Sequence, residues 1–393
     1  MPAWLLLSLI LIDPPSTEAI DVGEVRTASA LVAAYECNRC HTIENVEPPS
    51  IDKQCVGCHV EIKENRYDAP ARALRQWKRN IRHLVDVPSL VGTQERFRRA
   101  WIAEYLMKPH SQRPLLGESM PRLNLSTSEA RRIASHFGAA DEDGKEFTGG
   151  ELEAGRNLLD TRGCGSCHSF SGVSPLKSSA PSARLKAAIR AKATRLAPDL
   201  RWTRDRFRPE RLEAWLLNPK SLKKDTLMPN EGLTAEEARH IAAYILRAPL
   251  KADKARPVPQ RLTLLKRRVR YEEIEKKILH KTCWHCHSEP DYARGDGGPG
   301  NTGGFGFAAR GINLSDYAGV ASGHIDRAGK RRSLFSKSSY RDMPLLVAAL
   351  WARHAEVSGS PVPGIRGMPL GLPPLSPKEI QLIESWVAQG RPQ

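Results

Sequence analysis

Along the chain, apolar residues recur at helical spacing in short runs, and the runs follow a repeating order. ELEAGRNLLDTRGC (151–164) reads as a short helix, RLEAWLLNP (211–219) as a second and LTAEEARHIAAYILR (233–247) as a third that closes the segment. Thr234 with Glu237 three residues on marks the start of that closing helix. The pair forms a capping box, in which each side chain satisfies the other's main-chain N–H. The same signal recurs at Ser126 with Glu129, ahead of a helix through Ile133 and Phe137. It recurs again at Ser376 with Glu379, where Pro377 takes the first helical position before IQLIESWVAQG. A Met-Pro pair stands six residues before each of the first two caps (Met120-Pro121, Met228-Pro229) and eight before the third (Met368-Pro369). The pattern predicts a mainly α chain with long irregular loops, divided into three tandem domains at 21–149, 150–252 and 253–393.

One apolar run, Trp4 to Ile12, is cut short by Pro14 and Pro15. It is too short to span a bilayer but matches the hydrophobic region of an export signal, so residues 1–20 are expected to direct export. No later stretch is long and apolar enough for a transmembrane helix. Aromatic residues make up 6% of the chain and hydrophobic residues 40%, with 29 Gly and 29 Pro. Three domains with cores that modest leave room for something other than side chains to fill part of each.

The eight cysteines form four units with none left over: Cys37-Asn-Arg-Cys40-His41, Cys55-Val-Gly-Cys58-His59, Cys164-Gly-Ser-Cys167-His168 and Cys283-Trp-His-Cys286-His287. The first two, taken alone, mimic a zinc ribbon, and a dithiol redox pair is the other competitor. Neither chemistry requires a histidine directly after the second cysteine, yet all four units have one in a chain holding 12 histidines. Cys-x-x-Cys-His is the attachment signature of haem c. Two thiols bond the two vinyl groups on one haem edge, and the next residue turns its imidazole to the iron. The expectation is four covalently bound haem c groups, with His41, His59, His168 and His287 as proximal ligands.

The order helix, Cys-x-x-Cys-His, Ala197-Pro198-Asp199-Leu200, helix, Met228-Pro229, closing helix resembles a class I cytochrome c domain over residues 150–250. That resemblance implies Met228 as the sixth iron ligand, a Pro198 carbonyl accepting the proximal imidazole's N–H, and Gly155 of the first helix packed on Tyr244 of the last. By the same repeat, Met120 and Met368 are the sixth ligands of the outer domains. Met343-Pro344 opens the apolar run MPLLVAALWARH and reads instead as a core residue at a helix start. His324 and His354 are outside candidates, and GDGGPGNTGGFGFAARG (295–311) lacks the strand–glycine–helix context of a phosphate loop.

Domain one has two haem motifs and a single Met-Pro pair. TASALVAAYECNRCH reads as a helix feeding the Cys37 motif and so gives Met120 to that haem. Spacing points the other way, since Cys58 to Met120 is 62 residues against 61 from Cys167 to Met228. The helix carries more weight. For the remaining iron the candidates are His83, His110, His136 and Met107, and His83, just before Pro88, is preferred.

Protein ligands on both iron faces leave electron transfer as the available chemistry, and methionine ligation raises the potential relative to bis-histidine. The chain therefore reads as a periplasmic tetrahaem cytochrome relaying electrons between redox partner proteins. A multihaem peroxidase with one open iron is the alternative. The net charge is +16, with dense basic runs at 184–211 and 251–270. Interleaved aromatics are scarce and no nucleic-acid motif accompanies the runs, so the expected partner is an acidic redox protein, alone or in a respiratory complex.

Overall fold

The computed structural model describes residues 26–117, 119–123, 125–139, 147–178, 185–252, 256–288 and 310–393. The expected export segment and most of the Gly-rich stretch lie outside these residues. Within them the chain is mainly helical. The one sheet is a two-stranded antiparallel pair, β1 (His324–Ile325) with β2 (Arg331–Arg332). No helix among the described residues is long and apolar enough to cross a membrane.

Buried apolar residues there gather into three clusters. The first joins Leu31 and Val32 of α1 (Ala28–Ala34), Ile102 of α4 (Arg99–Met107), and Ile133 and Phe137 of α5 (Thr127–Phe137). Between α1 and α4 the chain inserts α2 (Cys55–Lys63) and α3 (Ala71–Asn80). The second cluster joins Leu159 of α6 (Leu152–Thr161), Leu212 and Leu216 of α9 (Pro209–Leu217), and Ile241 and Ile245 of α11 (Ala235–Arg247). Shorter helices α7 (Ala187–Leu196), α8 (Thr203–Arg206) and α10 (Pro219–Leu222) bracket α9. The third cluster is built on α12 (Tyr271–Ile274) and its π-helical continuation Glu275–Cys283, α14 (Leu345–Val357) and α15 (Pro377–Ala388). The short helix α13 (Tyr317–Ser322) adds Val320. Met343 is 4% exposed within this third core, as its apolar context predicts.

All three capping boxes form: Ser126, Thr234 and Ser376 each accept from the N–H of the glutamate three residues on, and each glutamate returns the bond. Such a cap contributes about 1 kcal/mol and fixes where the helix begins. It therefore also fixes the loop, carrying the Met-Pro pair, that arrives at it.

The first two clusters meet across a self-complementary contact. Arg96-Phe97-Arg98 stands 110 residues before Arg206-Phe207-Arg208. The two triplets pair antiparallel: Arg98 N–H donates to the Arg206 carbonyl at 2.9 Å and Arg208 N–H to the Arg96 carbonyl at 2.7 Å. The rings of Phe97 and Phe207 meet edge-on at 5.8 Å beneath the bridge. In the third cluster the buried pair Arg353–Glu356, at 3.1 Å, ties the loop before Met368 to α14. Glu356 accepts from Gly367 N–H at 2.7 Å and Arg353 donates to the Leu372 carbonyl at 2.9 Å.

Helix α6 crosses α11 so closely that a Cβ on Gly155 would lie 2.0 Å from the His240 carbonyl oxygen and 2.9 Å from the Tyr244 Cβ. The obstruction is main chain and cannot swing aside. Gly155→Ala is expected to destabilise the protein by about 2 kcal/mol or more, the scale of overpacking in a rigid core. Denaturant unfolding followed by helix content checks this, and an unchanged midpoint would show that the helices separate freely.

Candidate functional site

Each Cys-x-x-Cys-His unit winds as one helical turn. His41 N–H donates to the Cys37 carbonyl at 3.0 Å, His168 to Cys164 at 2.9 Å and His287 to Cys283 at 3.0 Å, while the Cys55 unit forms the first turn of α2. At helical spacing, residues i, i+3 and i+4 share a face, so both thiols and the imidazole of a unit point the same way. The residue before the turn is left-handed in the first and third units, Glu36 with φ 50° and Gly163 with φ 74°. That conformation turns the incoming helix sharply into the motif.

The imidazoles are oriented from behind. His168 Nδ1 donates to the Pro198 carbonyl at 2.8 Å, and His41 Nδ1 donates to the Pro88 carbonyl at the same distance. Each bond fixes the tautomer, leaving Nε2 unprotonated and free to ligate. Burial pushes both histidines below the ordinary imidazole range.

Two cavities open in front of these rings. One, of about 220 Å³, is lined by Cys37, Cys40, His41 and Met120. The other, of about 530 Å³, is lined by Cys164, Cys167, His168 and Met228. Both far exceed the space a water molecule occupies. Met120 thus lines the cavity in front of the Cys37 motif. Helices α2 and α3 lie in the chain between Cys40 and Pro88. In the second cavity Trp215 Nε1–H donates to Met228 Sδ at 3.0 Å, holding the thioether in place.

Arg96, Arg113 and Arg206 line both cavities. Arg96 is 5% exposed and Arg206 8%. Among the described residues none of the three forms an ion pair with a carboxylate, although the charge of Asp225 acts on Arg96. Arg96 lies over the Phe97 ring at 4.7 Å, Arg113 donates to the Leu196 carbonyl at 2.8 Å, and Arg206 to Gln112 Oε1 at 2.9 Å. Arg206 Nε and the neighbouring His110 Nε2 are buried with no partner. Burial and then the two other guanidiniums push Arg206 down to about 9, and burial pushes Arg96 to about 10. Asp86 lines both cavities but is paired with Arg195, and Asp225 lines the second, so a further anion would be stabilised by the three guanidiniums. The two propionates that a haem carries fit this donor set, as the thiols, imidazole and thioether fit its vinyl edge and iron. Among the described residues no three His, Cys, Asp or Glu side chains gather as a metal-ion cluster.

The Cys55 motif lies outside both cavities. Cys40 is hydrogen-bonded to Cys55, which with burial holds the Cys40 thiol well above its ordinary range. His59 Nδ1 donates to the His83 and Leu84 carbonyls at 3.2 and 3.3 Å. His83 therefore approaches His59 through its main chain, while its side chain is exposed. Burial, and after it the proximity of His285, pushes His59 down to about 4. Of the other candidates, His110 lines the Met120 cavity, Met107 packs against the first core and His136 sits on α5 against Phe137. Cys283 and Met368 both pack at the edge of the third core. His287 Nδ1 there is buried without a partner, and His354 Nε2 is occupied by the Leu375 carbonyl at 2.8 Å. The arginine cluster and Trp215 are absent from the sequence expectations. The repeated Arg-Phe-Arg triplet is the one signal by which the first could have been found. The chain matches no known protein family, no curated protein and no solved structure.

Proposed function

We propose that the chain is a tetrahaem c-type cytochrome, built as three tandem cytochrome c-like domains with two haems on the first, that relays electrons between redox proteins outside the cytoplasmic membrane. The observation that carries this reading is the meeting, twice over, of a Cys-x-x-Cys-His turn, a proline carbonyl behind its imidazole and a Met-Pro methionine around one cavity. Bound haem c supplies one-electron iron chemistry. The residues do the rest. Cys37 with Cys40 and Cys164 with Cys167 would hold the group covalently, and His41 with Met120, or His168 with Met228, would supply its iron ligands and leave no position for substrate. His287 and Met368 would take the same roles in domain three, and Cys55, Cys58 and His59 would hold the fourth group.

Two contacts order part of the path. Cys40 against Cys55 brings the two attachment edges of domain one together. Arg96, Arg113 and Arg206 line both the Cys37 and the Cys164 cavities and would neutralise carboxylates of groups bound in either. The motifs would then be ordered Cys55, Cys37, Cys164 along the path. The basic surplus of the chain attracts an acidic donor or acceptor.

Purified from a host with a haem c maturation system, the protein should carry four irons per chain and the sharp reduced-state bands of thioether-linked haem. A chain that matures without haem ends the proposal. Arg206→Met removes one cation from both cavities and should lower two haem potentials together, on the order of tens of millivolts, whereas Arg206→Lys should keep them near wild type. Trp215→Phe withdraws the donor from Met228, strengthens the thioether as a ligand and should lower one potential by a similar amount. A spectroelectrochemical titration reads both. Electron exchange with an acidic partner should slow as salt rises, and a rate independent of ionic strength would remove steering from the account.

A further inference from the structure

Resting on the haem reading above, we propose that His285, inside the Cys283-Trp-His-Cys286-His287 motif, is the sixth ligand of the iron held by Cys55, Cys58 and His59. The attachment loop of one haem then supplies the axial ligand of another. The imidazole rings of His59 and His285 stand 6.4 Å apart between centroids, with their planes at 40°. An iron between two imidazoles lies about 2 Å from each ligating nitrogen, and that nitrogen about 1.1 Å from its ring centre. The centroids of an axial pair are therefore roughly 6.3 Å apart. In an axial pair each ring plane contains the iron–nitrogen axis but may turn about it, so an angle of 40° between the planes is admissible.

Elimination leads to the same residue. His59 spends Nδ1 on the His83 and Leu84 carbonyls, so Nε2 is its ligating nitrogen. The His83 main chain lies behind the His59 ring, and its side chain would have to pass around the macrocycle to reach the other iron face. Met120 and Met228 belong to the two cavities already described, and Met107, Met343 and Met368 pack with the first and third cores. His110 lines the Met120 cavity and His136 lies against Phe137. His285 alone among these histidines faces His59. An ordinary ring contact can span the same distance, and the experiment must separate the two.

The assignment joins two parts of the chain that lie 226 residues apart. It places the haem on Cys283 and Cys286 next to the haem on Cys55 and Cys58, with the backbone of a single motif between them. The path would then run through the motifs Cys283, Cys55, Cys37 and Cys164. It also gives the Cys55 haem the lowest potential of the four, since two imidazoles stabilise ferric iron more than imidazole with thioether does.

The test is magnetic circular dichroism and electron paramagnetic resonance of the oxidised holoprotein, with haem counted per chain. Wild type should give a bis-imidazole signature equal to one haem in four. His285→Leu should abolish it while four haems remain, because His285 occupies a variable position of its motif. The reduced variant should then bind carbon monoxide at one haem, and added imidazole should restore the signature. His83→Leu should leave the signature intact. If His285→Leu loses a haem, His285→Met is read instead, and it should convert one bis-imidazole haem into a fourth imidazole–thioether haem. A bis-imidazole signature that survives both His285 variants overturns the assignment, as does its loss in His83→Leu. Four haems without any bis-imidazole signal in wild type overturn it too. A chain without haem refutes the cytochrome reading itself, a result distinct from each of these.

Discussion

His41 and His168 each donate a hydrogen bond from Nδ1–H to a proline carbonyl 2.8 Å away, and the arrangement around both cavities depends on which ring nitrogen carries that proton. Proline suits the acceptor position. It stands outside the helices, so its carbonyl is not claimed by an i to i+4 bond. With Nδ1 committed, Nε2 faces forward, and the cysteines of the same helical turn face forward with it. The methionine arrives from the opposite wall on a loop whose end is set by a capping box. Proximal carbonyl, helical turn and capped helix thus set the two sides of each cavity independently, and the closeness of α6 to α11 at Gly155 keeps the walls at a fixed distance.

The electrostatic arrangement works against the apoprotein. Burying Arg96, Arg113 and Arg206 together costs desolvation three times and adds mutual repulsion, with Gln112, the Leu196 carbonyl and the Phe97 ring as partial compensation. Such a cluster is tolerable where anions arrive with a cofactor that the fold is built around. On the haem reading, the chain without its cofactors would carry unfilled cavity walls and an excess of buried cations. Folding and cofactor attachment would then be coupled, as metal-dependent domains couple ligand binding to folding.

Much of this was legible in the sequence, because its signals are local. Four Cys-x-x-Cys-His units, three Met-Pro pairs and three capping boxes each occupy a few consecutive residues, and the physics that reads them acts within one or two helical turns. That Met120 and the Cys37 motif line one cavity is in keeping with the helix that precedes the motif, while α2 and α3 lengthen the chain between Cys40 and Pro88. The long-range contacts were not legible. Arg206 sits in a basic run that reads as a solvated face, yet it is buried, while Arg195 of the same run pairs with Asp86. The approach of His285 to His59 depends on how the third core sits against the first, and nothing within either motif encodes that. His83 looked attractive because it precedes Pro88. The carbonyl facing an imidazole from behind, which is Pro88 itself in the first motif, is in the second motif supplied by His83 and Leu84.

The bridge between Arg96-Phe97-Arg98 and Arg206-Phe207-Arg208 also bears on kinetics. Two main-chain bonds of 2.7 and 2.9 Å and a pair of facing phenylalanines hold the first two cores as parts of one body rather than as beads on a tether. Tethered carriers must collide before they exchange, and their rate follows solvent viscosity and linker length. Here the gap between the two cavities is set by backbone geometry, so on the proposed reading exchange across it would proceed at a separation that diffusion does not alter. Waiting for an encounter would then fall only to exchange with other proteins.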